Sequence, residues 1–144
     1  MGETVAFAGL VVWCGWLSVV DLRTRRLPNA LTLPGAVVVL VVAALHGDFR
    51  PAVVGALLLS GGYLLTHLVS PSAMGGGDVK LAFGLGAATG VAGAQAWFAA
   101  AVGAFVLTAV IGVGLRVAGR GSAGVPHGPS MCLATLAALA AVSV

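Results

Sequence analysis

Four carboxylates occur in 144 residues: Glu3, Asp21, Asp48 and Asp78. Two of them sit at the ends of apolar stretches. Asp78 follows Gly75, Gly76 and Gly77 and opens one such stretch, and Asp21 closes another. A charge inside an apolar helix is costly, about 2.5–3.5 kcal/mol at the centre of a membrane span and less toward the interface. Two acids kept in such places suggest a pair. Two carboxylates about 3 Å apart cannot both ionise easily and share one proton. The ionised partner takes a proton from water, which attacks a carbonyl; the protonated partner donates to the oxygen or to the leaving group. A glycine run beside one of them lets an extended strand approach the backbone and leaves N–H donors free to pair with it.

Each acid alone has a plainer reading. Asp78 is placed to cap the helix that follows and to complement its dipole, and Asp21 is placed to pair with Arg25 at i+4. Taken together these readings weaken. An acid where the first helix ends opposes the helix dipole, and a serine or asparagine would cap without a charge. Both acids also fall at the same depth on the same side, so they can meet if their helices pack.

The elements that must position them read as membrane spans. Hydrophobic residues make up 60% of the chain and charged residues 8%, with mean hydropathy +1.11, whereas a soluble domain carries about 25% charged residues. A net charge of +3 is too small and scattered for a nucleic-acid footprint. A span needs about 20 apolar residues. Candidates cover residues 4–20, 30–45, 52–69, 79–94, 96–115 and 126–144. The expected fold is all-α, one integral-membrane domain over residues 1–144: a bundle of six transmembrane helices with loops too short to hold a soluble domain. Residues 1–4 lack a basic leader region, so the first span is expected to be retained. Pro34 in the first turns of the second span predicts tilt, a kink or a thinned bilayer. Asn29 is expected to cap the second helix, Pro51 to occupy the first position of the third, Gln95 to mark a turn, and residues 116–124 to form a basic, glycine-rich loop.

Basic residues set the orientation. Arg23, Arg25, Arg26, Lys80, Arg116 and Arg120 follow odd-numbered spans, and only Arg50 follows an even one. By the positive-inside rule both termini lie outside and both acids face the cytoplasm. Trp13 and Trp16 read as interfacial anchors or packing residues. Gly86 and Gly90 have the GxxxG spacing that brings helix backbones together in lipid. Cys14 and Cys132 lie inside apolar runs without CxxC spacing and read as buried core residues.

These residues resemble a known family. Gly75-Gly76-Gly77-Asp78 fits the GxGD motif of intramembrane aspartyl proteases, and its continuation through Val79, Lys80 and Leu81 is similar to the GxGDxK(L/M) of type IV prepilin peptidases. Asp21 followed by Leu27-Pro28-Asn29 resembles that family's first motif, and Pro126-His127-Gly128-Pro129 resembles its PFGP element before the last helix. The three occur in family order over most of the chain. The resemblance implies a protease of the bacterial inner membrane that removes a basic leader from pilin-like precursors at the cytoplasmic face, usually after a glycine. It implies Asp21 and Asp78 as the catalytic pair, with no metal or cofactor. Gly75, Gly76, Gly77, Lys80, Pro28, Asn29, Pro126, His127, Gly128 and Pro129 would bind substrate or shape the site. Partners would be a prepilin-like substrate and membrane lipids, with no nucleic acid.

Departures refine this expectation. Longer family members carry a cytosolic insert with paired cysteines and an N-methyltransferase activity; no such insert occurs here, so peptidase activity without methylation is expected, as in the short forms that serve Flp or Tad-type pilins. His127 replaces the family's phenylalanine, as a packing or hydrogen-bonding ring or as a group that tunes the dyad. His67 reads as a packing or interfacial residue. Lys80, two positions past Asp78, points away from that carboxylate and would meet headgroups or an acidic group on the substrate. Arg23, Arg25 and Arg26 suit anionic headgroups better than a basic leader. Two other readings compete: a proton- or ion-coupled transporter using the same acids, and a purely structural subunit. A transporter predicts acids near the midplane and repeated halves, whereas these acids lie at helix ends on one side.

Overall fold

A computed structural model describes residues 2–120 and 124–142. Met1, residues 121–123 of the expected basic loop, and residues 143–144 of the sixth span lie outside the described residues. Six helices form in order: α1 (Gly2–Thr24), α2 (Asn29–Leu45), α3 (Phe49–Val69), α4 (Gly76–Ala92), α5 (Ala94–Val117) and α6 (His127–Val142). The fold is all-helical, and α1, α3 and α5 are each long and apolar enough to cross a membrane. Their outward faces carry large apolar side chains, such as Val12, Leu65 and Val110, which water would not tolerate in such number.

The packing is centred on α4, which touches α2, α3, α5 and α6. Its sequence explains why. Gly84, Gly86, Ala82, Ala87 and Thr89 are buried around Leu81 and Leu85, so small residues let neighbours approach from several sides. The closest approach is to α3. A Cβ at Gly55, Gly86 or Gly90 would run into the facing backbone, and Trp97 of α5 donates its Nε1–H to the Gly55 carbonyl at 3.0 Å. The GxxxG spacing of Gly86 and Gly90 is therefore a packing device.

Trp13 fastens α1 to α2: it donates Nε1–H to the Leu31 carbonyl at 2.9 Å and lies against Gly35, where a side chain would collide with the ring. Trp16 is exposed. On the far side α1 packs against α6. The buried Cys14 and Cys132 face each other across that contact, thiol to thiol.

Several helix ends differ from expectation. The first helix continues through Asp21 to Thr24, so of a charged loop or a helix extension after residue 20 the extension forms, and Asp21 finds its partner on another helix. Pro28 is the N-cap of α2 and Asn29 its first helical residue, with no side-chain cap bond. Gly75 is the N-cap of α4, which starts at Gly76 rather than residue 79. Pro51 is the third residue of α3. The α4–α5 turn is made by Gly93 at φ +101, a conformation that favours glycine, while Gln95 lies within α5. The fifth helix runs on to Val117, so the connection to α6 is shorter than expected.

Candidate active site

The three motifs converge at one end of the bundle, where α1 ends and α4 and α6 begin. Asp21 lies on the last turn of α1 and is 6% exposed. Its Oδ2 accepts the backbone N–H of Gly128 at 3.2 Å. Gly128 stands in the first turn of α6, whose leading N–H groups have no partner within the helix, and one of them is spent on the carboxylate. A Cβ at position 128 would lie 2.6 Å from Asp21 Oδ2, so a side chain there would displace the carboxylate from this bond.

Asp78 is held from its own element. It is the third helical residue of α4, not the N-cap, and its Oδ2 accepts the Gly75 N–H at 3.3 Å. This is the side-chain half of a capping box, with glycine at the cap. Asp21, Asp78, Gly75, Gly76 and Gly77 line a cavity of about 280 Å³ with Arg25, Arg26 and Leu27. Asp78 lies close enough to Asp21 to feel its charge. Two acids that feel each other's charge titrate as a pair.

The remaining motif residues brace these elements. A Cβ at Gly77 would lie 2.9 Å from Leu27 Cβ, so the glycine run and the Leu27-Pro28-Asn29 element are in contact. Lys80 donates Nζ–H to Asn29 Oδ1 at 2.6 Å, tying the first turns of α2 and α4 together. Gly76 has nothing within 4 Å of a built Cβ, which leaves its side of the glycine run open. Pro126 and Pro129 are half-buried around the start of α6. Neither Lys80, Asn29, Pro28 nor the Pro126-to-Pro129 stretch lines the cavity: Gly128 reaches it through Asp21, and the others act by holding helices in place. Arg25, with φ 52, and Arg26 also line it, beside the headgroup contact expected of them. His67 binds the Met74 carbonyl through Nδ1 at 2.6 Å, which secures the segment leading into the glycines.

Sequence reasoning missed Tyr63 and Thr108. His127 turns away from the cavity, its Nε2 2.9 Å from the Tyr63 hydroxyl and its Nδ1 2.6 Å from Thr108 Oγ1. A lone tyrosine and a lone threonine on apolar helices carry no pattern, and only helix packing brings them to one histidine.

The sequence model of the type IV leader peptidase family matches residues 8–116. The chain belongs to that family. The matched region of this leader peptidase includes Asp21, the Leu27-Pro28-Asn29 element and the glycine run with Asp78, and stops short of α6. Comparison with curated proteins and with solved structures gave no match. Membership makes the chain a peptidase of a membrane-protease family, in keeping with its apolar helices.

Proposed function

We propose that this chain is a membrane-embedded aspartyl endopeptidase that removes the basic leader from type IV pilin-like precursors, with Asp21 and Asp78 as the catalytic dyad. The observation that carries the reading is the cavity lined by both acids and by the three glycines, in a chain of the leader peptidase family. The pair holds one proton between its members. The ionised carboxylate takes a proton from water, the water attacks the scissile carbonyl, and the protonated carboxyl donates to the departing amine. The open backbone at Gly76 is suited to an extended substrate segment.

In this reading the six helices all span the bacterial inner membrane with both termini outside. The distribution of basic residues supports a cytoplasmic site. No methyl transfer accompanies cleavage. The placement of both acids at one end of the bundle speaks against a transporter, which would hold them near the midplane.

The test is cleavage of a co-expressed prepilin. Asp21→Asn and Asp78→Asn are each expected to abolish processing while the protein still accumulates in the membrane. Full processing by either variant would end the dyad reading.

A further inference from the structure

The hydrolysis outlined above makes no use of the polar network packed beside the dyad. Thr108 Oγ1 donates to the Ala104 carbonyl at 3.0 Å. Thr108 Oγ1 also lies 2.6 Å from His127 Nδ1, and the Tyr63 hydroxyl 2.9 Å from Nε2. When the Thr108 proton stays on the Ala104 carbonyl, the hydroxyl accepts from Nδ1–H, and Nε2 of the neutral ring accepts from Tyr63. In that arrangement, which the proposal takes, the bonds run from Tyr63 through His127 and Thr108 to the α5 backbone. The His127 ring also packs against Phe105, with centroids 5.1 Å apart, and against Tyr63 at 5.6 Å. The chain of bonds thus joins α3, α5 and the first residue of α6.

Two members of this network are tied to the acids. Tyr63 lies within electrostatic reach of Asp78. His127 immediately precedes Gly128, whose N–H binds Asp21. That bond is already 3.2 Å long, so a small outward shift of the α6 start would break it.

We propose that Tyr63, His127 and Thr108 are positioning residues of this peptidase: together they fix the start of α6 so that Gly128 seats the Asp21 carboxylate toward Asp78. The proposal rests on the dyad reading for its functional meaning, and its test separates the two. The first measurement needs no activity. In ¹⁵N spectra of the full chain in lipid nanodiscs, assigned with His46→Gln and His67→Gln, the His127 ring is expected as a single neutral tautomer protonated on Nδ1. Tyr63→Phe and Thr108→Val, which each remove one partner, are expected to return a mixture of tautomers. A mixture in the unsubstituted protein overturns the proposal.

The second measurement is the rate of cleavage of a synthetic peptide with a lysine-rich leader, a glycine and an apolar stretch. Tyr63→Phe, Thr108→Val and His127→Phe are each expected to lower kcat roughly ten- to a hundredfold with KM unchanged, as small misplacements of catalytic groups do. His127→Phe keeps an aromatic ring among its neighbours and deletes both hydrogen bonds. Because the residues act in series, Tyr63→Phe combined with His127→Phe is expected to be no slower than His127→Phe alone. Normal kcat in these variants, a change confined to KM, or additive losses would overturn the proposal. Should His127→Phe fail to accumulate, Tyr63→Phe, which loses a single oxygen, decides. If Asp21→Asn and Asp78→Asn still cleave, the dyad reading falls, and the tautomer measurement still decides whether the network holds α6.

Discussion

At Gly128 the difference between a hydrogen and a methyl group decides the geometry of the site. Gly128→Ala would place a Cβ 2.6 Å from Asp21 Oδ2, so either the carboxylate or the start of α6 must move. The expected outcome is a drop in kcat of about a hundredfold, measured on a leader-bearing peptide, with the protein still extractable as a folded monodisperse species. The pH dependence is set by the proton that the two acids share. It is lost once both ionise, so the cleavage rate is expected to fall as pH rises on the alkaline side. A rate still climbing well above neutral pH would require a different base. Asp21 and Asp78 were legible in the sequence because acids are scarce and both lie at the edges of apolar runs. The role of Gly128 was legible only as part of a motif. Its need to be glycine arises from the packing of α6 on α1, which local sequence does not encode.

Helix ends were less legible than helices. All six apolar runs became helices, yet α1 runs past Asp21, whose carboxylate meets Gly128 of α6, and α4 begins before Asp78, which closes a local capping box on Gly75. Asn29 illustrates this: its side chain serves Lys80 of α4 and not its own helix end. The GxxxG spacing of Gly86 and Gly90 was readable, but Gly55, their counterpart on α3, has no such signature and emerges only from the crossing. At that crossing Gly86→Ala or Gly90→Ala is expected to separate α3 from α4 and destabilise the fold by about 1–3 kcal/mol, the usual cost of overpacking. A lowered thermal midpoint in detergent, against one not lowered for the open position Gly61→Ala, would check this.

For the molecule as a whole, the proposed orientation predicts which ends are reachable from which side. Single cysteines placed at residues 26 and 118, in a background lacking Cys14 and Cys132, are expected to react with a membrane-impermeant maleimide only after the inner membrane is opened. One placed at residue 47 is expected to react in spheroplasts; the reverse pattern would invert the bundle. The alternation of helix length has a consequence of its own. The helices α2 and α4 hold 17 residues each, or about 25 Å at 1.5 Å per residue, against a hydrocarbon layer of about 30 Å. In the proposed orientation, lipid tails flanking the exposed face of α2, with Val37, Val38 and Val41, would be left without full-length protein to face, so the leaflet there would sag into a shallow hollow wetted from the cytosol. Hydrolysis consumes one solvent molecule per bond cut, and such a hollow would supply it at the mouth of the site without any channel through the bundle.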